Sequence, residues 1–257
     1  MYLEKILSQH RQIARADARN LETLIETAKK SQPARGFAAR IRTDSAKSSA
    51  VIAEIKRRSP SRGALKADLN PVDIARDYEV GGASCLSVLT DTDFFGGSPT
   101  DLSQARSSVG LPVLRKDFTV SLRDVCDTKI MNADCVLLIV AALSKSELED
   151  FHSLATELKL DALVEVHDES ELELAVEIGA RMIGVNQRDL KTFEVDQKRA
   201  VRLSSKIPDG VIKVAESGIK SPDDARNLRR AGYDALLVGE SLVTSDDIAK
   251  SVGELKV

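Results

Sequence analysis

The sequence predicts an α/β fold: a closed (β/α)8 barrel, a TIM barrel, with an N-terminal helical extension. Three observations carry this. Eight short β-rich apolar runs recur along the 257 residues. Each is followed by a segment of helical spacing. Most of the runs are continuously apolar rather than alternating, as parallel strands are when both faces are covered. Strands alternating with helices make a parallel sheet, and eight such units at this length close into a barrel. A doubly wound open sheet is the rival, and no Gly-x-Gly-x-x-Gly fingerprint supports it.

Residues 1–47 are predominantly helical, with Leu3, Ile6, Leu7, Ile13, Leu21, Leu24, Ile25 and Ala28 in a broken amphipathic stripe. They are read as an extension packed on the barrel. Strands are expected at Val51–Lys56, Cys85–Thr90, Pro112–Phe118, Cys135–Val140, Ala162–Val166, Met182–Asn186, Val211–Glu216 and Ala235–Gly239. Helix starts lie between them. Asn70 caps Pro71, with Asp73 in the first turn. Ser144 and Glu147 form a capping box ahead of Leu148, Phe151, Leu154, Ala155 and Leu158. Ser221-Pro222-Asp223-Asp224 repeats the cap, proline and acid pattern. Gly81-Gly82, Gly179 and Gly232 stop helices before the next strand. No stretch rich in Gly, Ser or Pro marks a linker, so residues 1–257 are expected to form one barrel domain.

Composition excludes several function classes. A net charge of -3 gives no electrostatic reason for a nucleic-acid or membrane partner. There is no Trp, and aromatic content of 4% is too low for base-stacking platforms. Cys85, Cys126 and Cys135 are unclustered and read as small buried apolar residues, which fits a reducing cytoplasm. The charged N-terminus lacks a signal-peptide pattern, and no apolar stretch approaches the length of a membrane span. His10, His152 and His167 are scattered, and the carboxylates sit beside lysines, so neither a metal nor a cofactor is expected. The expected partner is a small phosphorylated molecule, with the chain a monomer or weak homo-oligomer.

The function signal lies at the strand ends. Glu54 and Lys56 share one face of the first strand, where a plain core would make both charges costly. Arg115-Lys116-Asp117 ends the third run, Glu165 lies in the fifth, Asn186 ends the sixth and Glu216 the seventh. In this fold the C-terminal ends of the strands carry the active site. Ala215-Glu216-Ser217-Gly218-Ile219 and Val238-Gly239-Glu240-Ser241-Leu242 follow strands seven and eight, where such barrels hold phosphate. Arg58 is a candidate counter-charge, and an acidic Glu240 has to point away from an anion.

These segments resemble indole-3-glycerol phosphate synthase. The match runs in order through Glu-Ile-Lys-Arg-Arg-Ser-Pro-Ser (54–61), Phe-Phe-Gly-Gly-Ser (94–98), Arg-Lys-Asp-Phe (115–118), Leu-Leu-Ile-Val (137–140), Leu-Val-Glu-Val-His (163–167), Gly-Val-Asn-Gln-Arg-Asp-Leu (184–190), Ala-Glu-Ser-Gly-Ile (215–219) and Val-Gly-Glu-Ser-Leu (238–242). The resemblance implies a lyase of tryptophan biosynthesis. It would close the indole ring of 1-(2-carboxyphenylamino)-1-deoxyribulose 5-phosphate with loss of carbon dioxide and water. It implies Lys116 as general acid, Glu165 as general base, Lys56 at the departing carboxylate, and Glu54 and Asn186 as positioning groups. Around the substrate it places Glu216, Ser217, Phe95, Pro60, Leu137 and Arg188. With the phosphate it places Arg58, Ser59, Gly218, Gly239, Glu240 and Ser241. Cations near Lys116 are expected to lower its pKa. The loop after the first strand is expected to close over the ligand, with Gly63 as its hinge. Another phosphosugar enzyme, an isomerase or a Schiff-base aldolase using Lys116, is the alternative, followed by a non-catalytic phosphometabolite sensor.

Overall fold

The computed structural model describes residues 2–59, 62–190 and 192–257. Eight parallel strands close into a barrel: β1 (Ala50–Ile55), β2 (Cys85–Leu89), β3 (Val113–Lys116), β4 (Cys135–Ile139), β5 (Asp161–Val166), β6 (Met182–Asn186), β7 (Ile212–Glu216) and β8 (Ala235–Val238). β1 closes the ring by pairing on both sides, Ala53 opposite Leu86 of β2 and opposite Val238 of β8. Lys56, Thr90, Asp117, Phe118, Val140 and Gly239, read as strand residues from the sequence, fall just past the strand ends, because the chain turns out of the ladder there. The loop after β1 carries a short antiparallel ribbon, Arg58–Ser59 against Gly63–Ala64, in which Gly63 has a φ of 72°.

Alternation along each strand sorts the side chains into two cores. Ala50, Ile52, Cys85, Leu114, Cys135, Leu137, Leu163, Met182, Val214 and Leu237 fill the barrel. Val51, Ala53, Leu86, Val88, Val136, Leu138, Val164, Ile183, Leu236 and Val238 face the surrounding helices. Both faces are therefore apolar, which is why the runs do not alternate. The three cysteines are buried and unpaired.

The helices begin where the caps predict. Asn70 accepts from the Val72 amide at the start of α4 (Pro71–Val80). α5 (Pro99–Ser108) follows β2, and α6 (Leu122–Ile130) follows β3. Ser144 and Glu147 cap α7 (Lys145–Glu157), Asp168 caps α8 (Glu169–Glu177), and α9 (Arg199–Ser204) follows β6. Ser221 and Asp224 form a capping box on α10 (Pro222–Arg230), and α11 (Glu240–Val243) and α12 (Ile248–Glu254) complete the chain.

Three helices precede β1: α1 (Tyr2–Ala16), α2 (Leu21–Lys30) and α3 (Phe37–Ser45). α3 stoppers the N-terminal end of the barrel, where Phe37 and Ile41 join the interior core. Its entry is fixed by Asp134 and Asp161, which accept the Arg35 and Ala38 amides at 2.7 and 2.9 Å. α2 packs on α6. α1 reaches the opposite mouth, where Arg11 donates to the Ala142 carbonyl at 2.9 Å and pairs with Glu147 at 2.7 Å. Among the described residues no helix is long and apolar enough to cross a membrane.

Candidate active site

A cleft of about 970 Å³ opens at the C-terminal ends of the strands. Its floor is made by side chains that strand alternation turns inward. Lys116 at the end of β3 places its ammonium 2.7 Å from Glu165 of β5 and 3.2 Å from Glu216 of β7. Asn186 of β6 donates its amide to the other Glu165 oxygen at 3.0 Å. Glu54 of β1 pairs with Lys56, just past the same strand. Glu54, Glu165 and Glu216 are all under 5% exposed. Taking such charges out of water costs several kcal/mol per ion, which their mutual attraction offsets only in part. The cluster is therefore a poor device for stability, and its cost is consistent with a chemical use.

Two glycines make room for it. A methyl group at Gly184 would overlap a Glu216 carboxylate oxygen, and one at Gly239 would overlap a Glu54 oxygen. Gly239 was assigned to phosphate on sequence grounds, and its place beside Glu54 gives it a second reason to lack a side chain.

The electrostatics follow from burial and neighbours. Burial opposes the charge on Lys116, but the Glu165, Glu216 and Glu54 carboxylates outweigh it and hold the ammonium well above the usual lysine range. This corrects the expectation of a lowered value, since carboxylates and not cations surround the amine. Burial also opposes the charge on Glu165, yet Lys116 and His167, with the Asn186 hydrogen bond, keep its carboxyl well below the usual range. Glu216 goes the other way: burial dominates, Lys116 only partly compensates, and Glu165 repels its charge. Its Oε1 has no hydrogen-bond partner among the described residues. The floor thus holds an ionised base, a charged amine and a carboxyl that favours its proton.

The remaining candidates line the walls. Phe95, Leu137, Ser59, Arg188, Ser217, Gly218, Gly239, Glu240 and Ser241 all border the cleft. Phe95 and Phe118 lie with ring centroids 6.3 Å apart on one side. On the other side Ser217 and Gly218 take consecutive left-handed conformations, with φ of 66° and 74°. The Ser241 hydroxyl donates to the Ile219 carbonyl at 3.0 Å, tying the start of α11 to that turn. Pro60 lies outside the described residues.

Arg58 does not reach the cleft. Its guanidinium donates to the carbonyls of Thr92, at 3.0 Å, and Asp93 on the loop after β2. Arg57, beside it, ties the loop after β1 to Asp101 of α5 at 2.9 Å. Of the three arginines after β1, the one that borders the cleft is Arg62, 3.1 Å from Glu240, which places the Glu240 carboxylate against a cation. Arg62, Phe118, Leu190 and Lys220 were missed as site residues. The motif Arg-Lys-Asp-Phe contained Phe118, whereas nothing in the sequence tells which of three nearby arginines turns inward.

The fold also brings together ligand-type groups that are distant in sequence. His10 of α1 lies 2.9 Å from Asp91 and 3.9 Å from Asp117. Arg115 pairs with Asp117 at 3.0 Å, so two cations offset two carboxylates once the histidine is protonated. This is an ion-pair cluster complete in itself, and it joins α1 to the cleft wall.

Comparison with known proteins bears on the fold and on the family. Among solved structures, a thiamine phosphate pyrophosphorylase from Pyrococcus furiosus superposes with a TM-score of 0.61 at 18% identity, covering 82% of this chain and 95% of that one. An N-acetylmannosamine-6-phosphate 2-epimerase from Clostridium perfringens gives 0.60 at 12% identity, covering 77% and 90%. These likenesses speak to the fold. Sequence relatives reach further. An indole-3-glycerol phosphate synthase of Chlorobium phaeovibrioides is 47% identical over 249 residues, 96% of each chain. Indole-3-glycerol phosphate synthase 1 of Streptomyces coelicolor is 48% identical over 236 residues, 92% of this chain and 87% of the relative. The family model described as indole-3-glycerol phosphate synthase matches residues 3–255, from the first helix to the last, and the chain belongs to that family.

Proposed function

We propose that this cleft converts 1-(2-carboxyphenylamino)-1-deoxyribulose 5-phosphate to indole-3-glycerol phosphate, carbon dioxide and water, the lyase step of tryptophan biosynthesis. The observation that carries the reading is the Lys116 ammonium held between Glu165 and Glu216 on a buried floor. An ammonium fixed in a low-dielectric site is suited to an oxygen on which negative charge develops.

The ring carbon bearing the carboxylate attacks the ribulose carbonyl, and the resulting alkoxide takes a proton from Lys116. The carbon–carboxylate bond then breaks, and its electron pair restores the aromatic ring as carbon dioxide leaves. The hydroxyl departs as water with a proton from a floor lysine, while Glu165 removes the adjacent carbon-bound proton. Two protons enter and one is recovered, so each turnover draws one proton from solvent. Lys56, beside Glu54, holds the carboxylate before it is lost. Glu54 and Asn186 orient the hydroxyls and the amines. Phe95 and Leu137 wall the aromatic ring, with Arg188, Glu216 and Ser217 around the rest. The turns at Gly218 and Gly239, with Ser59, Glu240 and Ser241, receive the phosphate, and Arg62 supplies the cation assigned from sequence to Arg58. Three buried free thiols support a cytoplasmic setting.

The test is direct. Purified protein is mixed with the substrate, without added metal or cofactor, and indole fluorescence is followed. A rising signal that Lys116→Ala removes supports both activity and site. Binding without signal returns the chain to the isomerase and sensor readings, and a lysine adduct trapped by borohydride identifies the aldolase.

A further inference from the structure

Gln187 is absorbed by none of these roles, although it is only 2% exposed. It follows β6 directly and lies outside the lining of the cleft. Its backbone is fixed on both sides: the amide donates to the Glu216 carbonyl at 2.9 Å, and the carbonyl accepts from the Asp196 amide at 2.8 Å. The side-chain Nε2 donates to the Ser217 carbonyl at 2.8 Å, while Oε1 is buried with no hydrogen-bond partner among the described residues. An apolar side chain of the same length would fill this space without an orphaned oxygen. What the amide adds is its hydrogen bond to the turn after β7.

That turn is held carbonyl by carbonyl. The Ser217 oxygen accepts from Gln187, the Gly218 oxygen from Gln197 Nε2 at 3.0 Å, and the Ile219 oxygen from the Ser241 hydroxyl. In a trans peptide the carbonyl of one residue and the N–H of the next point in opposite directions. Anchoring the Ser217 carbonyl on Gln187, behind the cleft wall, therefore turns the Gly218 amide towards the cleft. Anchoring the Gly218 carbonyl on Gln197 fixes the Ile219 amide in the same way. Neither amide has an acceptor among the described residues, whereas the Lys220 amide is taken by Asp224 at 2.9 Å. Gly218 and Ile219 both border the cleft.

We infer that Gln187 is a positioning residue for the substrate phosphate: with Gln197 it fixes two peptide planes of this turn so that amides, and not carbonyl oxygens, meet the anion. The inference rests on the proposed reaction for the phosphate that the substrate carries. Gly218 is the reason an anchor is needed. Glycine takes either sign of φ at little cost, so the Ser217–Gly218 peptide is free to turn over and aim its oxygen at the phosphate. The observed form, with φ of 66° at Ser217 and 74° at Gly218, is the one that the Gln187 hydrogen bond selects. A methyl group at Gly218 would overlap Val195, so the turn cannot gain rigidity from a larger residue there. The constraint comes instead from the side chains packed around it.

A purely structural tie between two loops is the competing account, and phosphate separates the two. Gln187→Met keeps the length and removes the donor, and Gln197→Ala removes the exposed anchor. Inorganic phosphate is titrated into the parent and both variants by calorimetry, and KM and kcat are then measured by indole fluorescence. Positioning predicts that phosphate Kd and substrate KM rise together in Gln187→Met, by about tenfold, the loss expected for one hydrogen bond to a charged group. The change in kcat should be smaller, and Gln197→Ala should move Kd and KM in the same sense. A fall in Tm or kcat with KM and phosphate Kd at parent values would mean a structural tie and overturn the inference. Unchanged values throughout, or a parent that takes up no phosphate, would overturn it as well. Should Gln187→Met not fold, Gln197→Ala decides between the same outcomes. A parent that binds phosphate but forms no indole would instead fault the proposed reaction, and the phosphate titration would still decide on Gln187.

Discussion

Side chains at the strand ends carry charges that the core does not need, and that excess is what the sequence exposes most clearly. Glu54, Lys56, Lys116, Glu165, Asn186 and Glu216 interrupt apolar runs, and all of them border one cleft. Their roles in the reaction are testable singly. Glu165→Gln keeps an acceptor for Lys116 and Asn186 but removes the base. It is expected to slow dehydration more than ring closure, by about 10²-fold or more. Rapid-quench samples should then accumulate the cyclised, decarboxylated alcohol; their remaining free of it would exclude Glu165 as that base. Gly239→Ala probes the room made for Glu54. The added methyl overlaps a Glu54 oxygen, and overpacking of this kind costs about 1–3 kcal/mol. Thermal unfolding should report the loss and kinetics a lowered kcat; parent values in both would show that Glu54 moves aside freely. What the sequence left hidden is loop direction. Arg57, Arg58 and Arg62 lie within six residues, yet one binds Asp101, one binds carbonyls after β2 and one meets Glu240. Only the path of the ribbon at Gly63 separates them.

At the level of elements the reading was legible where a local signal exists. Caps such as Asn70, Ser144 and Ser221 start their helices because a side-chain oxygen satisfies an otherwise orphaned amide. The amphipathic stripe of residues 1–47 marked helices but not their destinations. α3 stoppers one end of the barrel and α1 reaches the other, and no periodicity distinguishes the two. The site of α1 docking carries a pH signature. Burial opposes the charge on His10, but the Asp91 hydrogen bond and the Asp117 and Asp91 carboxylates raise its pKa above the unfolded value of 6.5. A raised histidine binds its proton more tightly in the folded state. Its contribution is complete below about pH 6.5 and is lost as pH rises through the folded value. Amide exchange in α1, corrected for its intrinsic pH dependence, should quicken several-fold between pH 6 and pH 9, relative to α3. His10→Gln should remove that difference. Protection of α1 that stays level over this range would show that Arg11 and apolar packing hold the helix alone.

For the whole molecule, the barrel and its site make opposing demands. The two cores supply the stability, while the floor holds three carboxylates and two amines in a place that favours apolar groups. Glu216 bears this conflict most visibly. Burial and the repulsion of Glu165 push its carboxyl up to about 8, and among the described residues one oxygen has no partner. In the unfolded chain the same group ionises in the ordinary carboxylate range. Between that range and pH 8 the native state therefore binds a proton that the unfolded state has lost, and stability must fall as pH rises. Glu216→Gln keeps the shape and abolishes the titration. It should lower turnover, yet raise Tm by about 2–4 °C at pH 8, the shift expected for roughly 1 kcal/mol in a chain of this size. Near pH 5, where the native carboxyl is neutral, the gain should shrink towards zero. A gain that is the same at both pH values would mean that Glu216 imposes no proton-linked cost. A loss of Tm at pH 8 would mean that its ion pair with Lys116 stabilises the barrel, and the charged floor would then serve the fold as well as the chemistry.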